Sequence, residues 1–432
     1  MVERISVYGL GKLGSTMLAC FAHSGFQVIG MDINESFVEK INSGKSPIYE
    51  PGVGSLISGN KERISASTSS FQPAYDTDAS FIIVPTPSLP DGSFTTQYVM
   101  EAAVGIAKAI KNKDTYHLVV VTSTVMPGET EKVRKYIEAI SGKKCNKDFG
   151  ICYNPDFIAL GRIVSDFLNP DMILIGQSDE KAGDLLSGIH SRVVKSNPEI
   201  HRMSLWNAEL SKIALNSYCT MKITFANVLG EICEKVHGGD AFKVSSAVGA
   251  DSRVGKKYLK PGLGYGGPCF GRDNRAFAKI AHSLGVRSTL ANTIDEINDY
   301  QKNGRVSDRV MSFLSRGDTV SVLGLTYKED TTLVEESAAL STAVHMAANG
   351  VRVKVYDPAG MEEAKKVIGS LKMEFCESAH ECIKDTKLCF VATPWSEFKK
   401  LSEKDFKKAG VQTVLDAWGL YDFDDVKRIG KA

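Results

Sequence analysis

The sequence lacks an excess of charge of either sign and any long apolar run. Its 52 Lys and Arg balance 51 Asp and Glu, which leaves a formal net charge of +1 over 432 residues. Nucleic acids and anionic membranes attract strongly basic surfaces, so neither is an expected partner. No apolar run approaches the roughly 20 residues that cross a bilayer. A strand-like run at 5–8 stands where a signal peptide would be. We therefore expect a cytoplasmic protein.

Paired cysteine and histidine motifs are also missing. The nine cysteines are scattered without CxxC spacing, and no HExxH occurs. Such motifs hold zinc, and regular cysteine frameworks form disulfides in secreted proteins. The sequence therefore predicts neither a metal site nor disulfides, as expected in a reducing compartment.

Short β-rich runs alternate with amphipathic stretches over residues 1 to about 195, and again near the other end of the chain. A chain of this length exceeds one core and predicts two or three domains. The alternation is typical of an α/β fold with doubly wound parallel sheets. We expect Rossmann-like domains at 1–200 and 314–432, joined by a long central helix and a helical middle domain at 201–313. The strands are predicted at 5–8, 27–31, 81–84, 118–122, 150–153, 172–175, 319–323, 351–356, 388–392 and 413–415.

The long helix is predicted over residues 204–236. Polar residues recur there at spacings of three, four or seven and so line one stripe, while apolar residues lie elsewhere around the helix. A helix with both surfaces usually runs through the middle of a protein. The stripe consists of Glu209, Lys212, Asn216, Thr220, Asn227 and Glu231.

A glycine-rich turn follows the first predicted strand and opens a helix. The run GLGKLG at 9–14 has the GxGxxG spacing, and Asp32 ends the next strand. The turn alone is weak evidence, but with the aspartate it forms the fingerprint of a dinucleotide site. Because an aspartate accepts hydrogen bonds from ribose hydroxyls and repels a 2′-phosphate, NAD is favoured over NADP. The contacts predicted from this fingerprint are Gly9, Gly11, Leu13, Gly14 and Asp32.

A second glycine-rich run, GLGYGGPCFGRD at 262–273, contains Cys269 followed by Arg272 and Asp273. Glycine lets a backbone fold tightly around an approaching group. A thiol on such a loop beside a cation is how proteins present a thiolate nucleophile. The alternative is that Cys269 is a small buried hydrophobe, as most free cysteines are.

These pieces together resemble the UDP-glucose/GDP-mannose dehydrogenase family of nucleotide-sugar 6-dehydrogenases nearly from end to end. The resemblance implies oxidation of a sugar C6 alcohol to a carboxylate by two NAD+ in succession, through a thiohemiacetal and a thioester on Cys269. It also implies a homodimer and a UDP-sugar substrate. The motifs are GLGKLG at 9–14, EPG at 50–52, VPTP at 84–87, STV at 123–125 with PG at 127–128, NPDF at 154–157, AELSK at 208–212 with Asn216, Asp251 with Arg253, GYGGPCF at 264–270 and GLTYK at 324–328.

The resemblance also implies roles for individual residues. Lys212 would stabilise the oxyanion at C6, since an ammonium in a dry pocket acts strongly on developing charge. Asn216 would bond the substrate or the same oxyanion, and Asp273 and Thr124 would orient the lysine or a water. Further cofactor contacts are implied at Pro85, Thr86 and Thr124, and substrate contacts at Phe157, Lys212, Asn216, Arg253, Tyr258, Gly266 and Lys328.

The chain departs from the family pattern at three places. Leu160 stands where the family commonly has a glutamate associated with thioester hydrolysis, so Asp156, Asp273 or a water oriented by the lysine would replace it. Glu335 stands where many relatives have an arginine, and Gly271-Arg272 where proline-lysine is usual. UDP-glucose is the expected substrate, with UDP-N-acetylhexosamine, UDP-galactose and GDP-mannose left open. A two-electron hydroxyacid dehydrogenase and a catalytically silent nucleotide-sugar sensor are the rival functions.

Overall fold

The structure is a computed structural model that describes residues 2–432. The chain divides into two compact units, of which the first ends at Ile213 and the second is Ala214–Ala432. The boundary falls inside the long helix, here α9, which extends over Leu205–Glu234. The sequence predicted this helix within two residues at either end.

A mixed sheet of eight strands forms the centre of the first unit. The strand order is β3-β2-β1-β4-β5-β6-β7-β8. Alternate residues of β5 pack on opposite faces of the sheet, Leu118 and Val120 on one and Val119 and Val121 on the other. Both faces are therefore buried, which explains the continuous apolar run of this strand. The strands are β1 (Arg4–Tyr8), β2 (Gln27–Met31), β3 (Ile64–Ser67), β4 (Ala79–Ile82), β5 (His117–Val121), β6 (Phe149–Tyr153), β7 (Met172–Gln177) and β8 (Glu199–Ser204).

Helices connect the strands of the first unit, and several begin at the residues expected to cap them. The side chain of Asn34 accepts the backbone N–H of Ser36 at the start of α2, and that of Asp179 accepts Ala182 N–H at the start of α8. Such caps satisfy N–H groups that the helix itself leaves unpaired. The helices are α1 (Lys12–His23), α2 (Glu35–Asn42), α3 (Val53–Gly59), α4 (Gln72–Asp76), α5 (Gln97–Lys111), α6 (Glu129–Ser141), α7 (Ile163–Leu168) and α8 (Glu180–Val193).

The expectation of a wholly parallel sheet is wrong at one place. Strand β7 runs antiparallel to β6, whereas β8 is again parallel to β7. The six strands expected in the first 200 residues are present, with ends shifted by at most two residues. Strands β3 and β8 were not predicted. They lie at the two edges of the sheet, and sequences such as ISAS and EIHRMS lack the apolar run of a strand buried on both faces.

The second unit contains a parallel six-stranded sheet in the order β11-β10-β9-β12-β13-β14. Its strands are β9 (Thr319–Leu323), β10 (Arg352–Tyr356), β11 (Glu374–Phe375), β12 (Leu388–Val391), β13 (Thr413–Asp416) and β14 (Val426–Arg428). The four predicted strands correspond to β9, β10, β12 and β13. The fold class is therefore as predicted, with two Rossmann-like sheets and a helical region between them in sequence.

The helices of the second unit include a π-helical turn at Gln301–Arg305, which continues directly from α12. Such turns are rare and often occur near functional sites. The helices are α10 (Ala241–Ala250), α11 (Phe270–Ser283), α12 (Thr289–Tyr300), α13 (Val306–Met311), α14 (Ala338–Ala348), α15 (Met361–Ile368), α16 (Ala379–Ile383) and α17 (Glu403–Ala409). Among the residues described, none of the helices combines the length and the apolar composition that a membrane span requires.

The polar stripe of α9 is buried. Glu209 and Thr220 are fully buried, and Lys212, Asn216 and Asn227 are nearly so. By contrast, Phe225, one of the apolar residues of this helix, is half exposed. Because burying a polar group is costly unless it is hydrogen-bonded, the buried groups of this stripe are expected to have specific partners.

Candidate active site

The loops at the carboxyl ends of β1, β2, β4 and β5 hold the predicted cofactor residues of the first unit at one edge of the sheet. The strand order changes direction between β1 and β4. In open α/β sheets, ligands bind outside the carboxyl ends of the strands at this switch point.

The turn after β1 has the close approaches that its glycines allow. Gly9 has a φ of +96°, and a Cβ placed on Gly14 would overlap the carbonyl of Gly9. No atom lies within 4 Å of a Cβ placed on Gly11, so the backbone there is open to a phosphate. Helix α1 begins with no side-chain cap, which leaves its first N–H groups for an anion.

Asp32 retains hydrogen-bonding capacity for a ribose. Its Oδ2 accepts the backbone N–H of Leu10 at 2.6 Å, and its Oδ1 accepts that of Asn34 at 2.8 Å. A carboxylate offers about four acceptor positions, so two remain. These residues therefore fit NAD. At the same edge of the sheet, Thr86 is buried and its hydroxyl donates to the carbonyl of Thr124 at 2.7 Å, while Pro85 is exposed.

Lys212 is a nearly buried ammonium, 7% exposed. It donates to the backbone carbonyl of Asp156, and its Nζ lies 4.8 Å from the ring centroid of Phe157. Within residues 2–432 it forms no ion pair with a carboxylate. Burying a cation without a counter-charge is costly, so this geometry suits a lysine that meets a developing negative charge.

The loop that carries Asp156, Phe157 and Leu160 is fixed at both ends. At its start, Asn154 accepts a hydrogen bond from His190 at 2.8 Å, when that ring nitrogen carries the proton. Burial lowers the pKa of His190 to about 4. At its end, the Glu50 carboxylate accepts the N–H groups of Gly161 and Ile163. The EPG motif at 50–52 therefore supports this loop.

In the second unit, Cys269 is exposed and occupies the residue just before α11. A helix N-terminus stabilises a thiolate. The preceding Gly267 has a φ of +78°, and a Cβ on it would lie 2.5 Å from the ring of Tyr327. Burial, with smaller contributions from the Cys269 and Glu335 charges, raises the pKa of Tyr327. Because Cys269 is exposed, the alternative that it is a small buried hydrophobe is wrong.

Asp273 lies one turn into α11 and is 1% exposed. Its Oδ2 accepts the side-chain amide of Asn216 at 2.6 Å, and its Oδ1 accepts Nε of Arg272 at 3.2 Å. Asp273 is thus both a partner of Arg272 and the group that orients Asn216. Asn216 and Asp273 therefore meet within the second unit, and Cys269 lies one helical turn before Asp273.

The predicted substrate residues of the second unit lie in loops. Arg253 is exposed, and its guanidinium pairs with both oxygens of Asp251 at 3.0 and 2.8 Å. The ring of Tyr258 packs edge-on against Phe270, with centroids 5.8 Å apart. Lys328 is half-buried in the loop after β9.

Two asparagines that were not predicted as site residues hold the glycine-rich run at 262–273, here called the cysteine loop. Asn227 accepts the N–H of Gly262 and donates to the carbonyl of Leu263. Asn298 bonds both the N–H and the carbonyl of Tyr265, at 2.8 and 3.1 Å. Asn227 was visible as a member of the polar stripe, whereas no sequence signal identified Asn298.

Asp357 ends β10 as Asp32 ends β2, but its environment is different. Its oxygens accept six hydrogen bonds from the second unit, four on Oδ2 and two on Oδ1. The donors belong to Leu325, Thr326, Ala359, Gly360 and Trp395. Asp357 therefore has no acceptor position left for a ribose, although the two halves of the sequence are alike in outline.

Comparison with protein-family models gives matches over most of the chain. Three domain models match, and all of them describe the UDP-glucose/GDP-mannose dehydrogenase family. Its NAD binding domain matches residues 3–194, its central domain residues 206–300 and its UDP binding domain residues 321–423.

Comparison with individual proteins gives relatives that match over nearly their whole length. The UDP-glucose 6-dehydrogenase AglM of Haloferax volcanii is 34% identical over 95% of this chain and 96% of its own. The UDP-glucose 6-dehydrogenase TuaD of Bacillus subtilis is 32% identical over 99% of this chain and 92% of its own. Among solved structures, a UDP-glucose dehydrogenase from Pyrobaculum islandicum superposes with a TM-score of 0.89, at 33% identity, over 100% of this chain and 98% of that one.

Proposed function

The chain belongs to the UDP-glucose/GDP-mannose dehydrogenase family, and we propose that it oxidises the C6 alcohol of UDP-glucose to UDP-glucuronate with two NAD+. The protein is an NAD-dependent nucleotide-sugar dehydrogenase. The exposed thiol of Cys269 on its glycine-rich loop carries the proposal, because a dehydrogenase that stops at the carbonyl needs no nucleophile.

The domain roles follow the same reasoning. Residues 1–200 bind NAD, residues 201–313 carry the cysteine, and residues 314–432 bind the UDP moiety, with Lys328 as a substrate contact. NAD supplies the hydride acceptor for both oxidations. Gly9, Gly11, Leu13, Gly14 and Asp32 hold it, with Pro85, Thr86 and Thr124 at the same edge of the sheet.

Cys269 is the proposed nucleophile. Oxidation of the alcohol removes a hydride from C6 and a proton from its oxygen, which leaves an aldehyde. The thiolate then adds to the carbonyl carbon, and the π electrons of the carbonyl move to oxygen as an alkoxide. Loss of a second hydride gives a thioester, and water cleaves the C–S bond with the thiolate as leaving group. The adduct matters because its alkoxide supplies the electron pair that expels the second hydride.

Lys212 and Asn216 act on the oxygen at C6. The ammonium of Lys212 stabilises the alkoxide, and its burial supports this role because electrostatic interactions strengthen when water is excluded. Asn216, oriented by Asp273, donates to the substrate or to the same oxygen. Leu160 stands where the family commonly has the glutamate associated with thioester hydrolysis. Its role is taken by Asp156, by Asp273 or by a water that Lys212 orients.

The end-point yield of NADH from limiting UDP-glucose and excess NAD+ tests the function. We expect two NADH per sugar, which also requires that the thioester is hydrolysed. One NADH per sugar would mean that the enzyme releases the aldehyde. One or two NADH per enzyme active site would mean that an adduct remains trapped on the enzyme. If no NADH forms, UDP-glucose is not the substrate, and the same assay with UDP-N-acetylhexosamine, UDP-galactose and GDP-mannose separates another dehydrogenase from a sensor.

We also infer that the protein is a homodimer built on α9. Three large apolar side chains of this helix recur every seven residues and are exposed, Tyr218 by 56%, Phe225 by 51% and Ile232 by 53%. A residue seven positions on returns to the same side of a helix, so these side chains form one apolar face. Arg253, whose side chain is 87% exposed, is then available to phosphates in the partner subunit's site.

A charge introduced into this face tests the dimer. We expect the wild-type protein to have the mass of a dimer in light scattering at micromolar concentration and F225E to have that of a monomer, because an interface cannot bury an unpaired carboxylate. The matched control is V367E, since Val367 is 63% exposed on α15. A monomeric wild-type protein would contradict the inference.

A further inference from the structure

Residues 331–337, here called the strap, lie against the cysteine loop within the second unit. The N–H of Gly267 donates to the carbonyl of Glu335 at 2.9 Å. A Cβ on Gly266 would overlap the carbonyl oxygen of Glu336, and one on Gly271 would lie 2.9 Å from its Oε2. The strap therefore meets the loop on both sides of Cys269. A side chain at Gly266 would collide with the backbone of the strap, whereas one at Gly271 would require the Glu336 side chain to move.

Glu336 has a backbone conformation that its residue type disfavours. Its φ is +49°, in the left-handed region. A non-glycine residue in this region costs energy and is maintained only where surrounding contacts require it. Glu336 does not gain the local side-chain hydrogen bonds that let Asn or Asp adopt this region. Its side-chain contacts must therefore compensate.

A chain of ionic contacts supplies that compensation. The carboxylate of Glu336 lies 3.0 Å from Nη2 of Arg275 and 3.5 Å from Nζ of Lys302. Arg275 is also 3.5 Å from Asp295, whose other oxygen accepts the hydroxyl of Tyr265 at 3.0 Å. The contacts thus lead from the strap back to the cysteine loop through α11, α12 and the π-helical turn. Networks of this kind are stronger than isolated surface pairs.

We propose that Glu336 is a positioning residue for Cys269, which keeps the strap on the loop and thereby fixes where the thiol meets the sugar aldehyde. The proposal depends on the proposed function only because that function supplies the reaction in which the thiol takes part. A nucleophile displaced by about 1 Å loses roughly a hundredfold in rate while substrate contacts elsewhere persist. Loosening the strap should therefore lower kcat and leave KM nearly unchanged.

The test compares E336Q, which keeps the size of the side chain, with the wild-type enzyme. We expect kcat to fall by about 10- to 100-fold, KM to stay within about twofold, and amide exchange of Gly267 to accelerate. E336D should recover part of kcat. R275Q should resemble E336Q, and the double variant should lose little more, since both remove one contact. The control E296Q removes an exposed carboxylate from α12 and should behave as wild type.

Three results would overturn the proposal. They are a kcat of E336Q within twofold of wild type, a lowered kcat with unchanged exchange at Gly267, and an equal loss in E296Q. Amide exchange of Gly267 needs no substrate. If the wild-type enzyme makes no NADH from any nucleotide-sugar, the proposed function fails, while the comparison of this exchange rate in E336Q and wild type still tests the strap.

Discussion

Replacing Cys269 with alanine should lower the steady-state rate of NADH formation from UDP-glucose by roughly a thousandfold or more. The variant retains the groups for the first oxidation, but the aldehyde has no nucleophile to convert it into an adduct that can expel a second hydride. The measurement is NADH absorbance with saturating UDP-glucose and NAD+, together with the end-point yield per sugar.

The control for this prediction is Cys145→Ala. Cys145 is half-buried in the first unit, where burial raises the pKa of its thiol, so it is a poor nucleophile. We expect C145A to keep the wild-type rate. If C269A still forms two NADH per sugar at more than a tenth of the wild-type rate, the covalent mechanism is wrong.

Replacing Lys212 with methionine should lower kcat by roughly 100- to 1,000-fold and change KM by less than about threefold. Methionine fills a similar volume beside Phe157 but cannot stabilise an oxyanion. The ammonium acts mainly on charge that develops during the reaction, so its loss affects the transition state more than substrate binding.

Lys235→Met is the matched control, because Lys235 lies just after α9, is exposed and pairs with Glu231. Exposed ion pairs contribute little, and K235M should retain the wild-type kcat. A K212M enzyme with normal kcat and a strongly raised KM would make Lys212 a binding residue only.

The sequence predicts strands and turns best where burial and function impose a pattern. Strands β1, β4 and β5 are rich in apolar residues because both faces of the sheet are covered. The edge strands β3 and β8 carry no such signal. The reversal of β7 against β6 depends on the path of the chain between them, and a pattern of apolar residues contains no information about strand direction.

The sequence predicted the reacting groups of the candidate site but not the residues that hold them in place. Cys269 and Lys212 stand in motifs whose chemistry can be inferred from residue type. Glu209 belongs to the same stripe as Lys212, yet its carboxylate accepts the N–H groups of Gly128 and Thr130 at the start of α6, and burial raises its pKa. Only the contacts distinguish a helix cap from a catalytic group.

The strap could not be inferred for a similar reason. A positive φ at Glu336 arises from tertiary contacts, since local preference disfavours it. The acidic pair Glu335-Glu336 appears in the sequence as a departure from the family pattern at the first position. The structure instead gives the second position the ionic contacts, with Arg275 and Lys302 contributed from elsewhere in the same unit.

The six hydrogen bonds to Asp357 show that an aspartate at the end of a Rossmann-like strand can serve the fold instead of a nucleotide. An aspartate follows the second strand of both Rossmann-like sheets. In the second sheet it holds two turns and a tryptophan together, so no lone pair remains to accept a hydrogen bond from a ribose. The outline of a strand, a glycine, a helix and a strand followed by an aspartate would suggest a second dinucleotide pocket here, although the GxGxxG run is missing. The number of acceptor positions left on each carboxylate distinguishes an aspartate that can bind a ribose from one that only stabilises the fold. The same comparison can be made in any enzyme with two Rossmann-like domains.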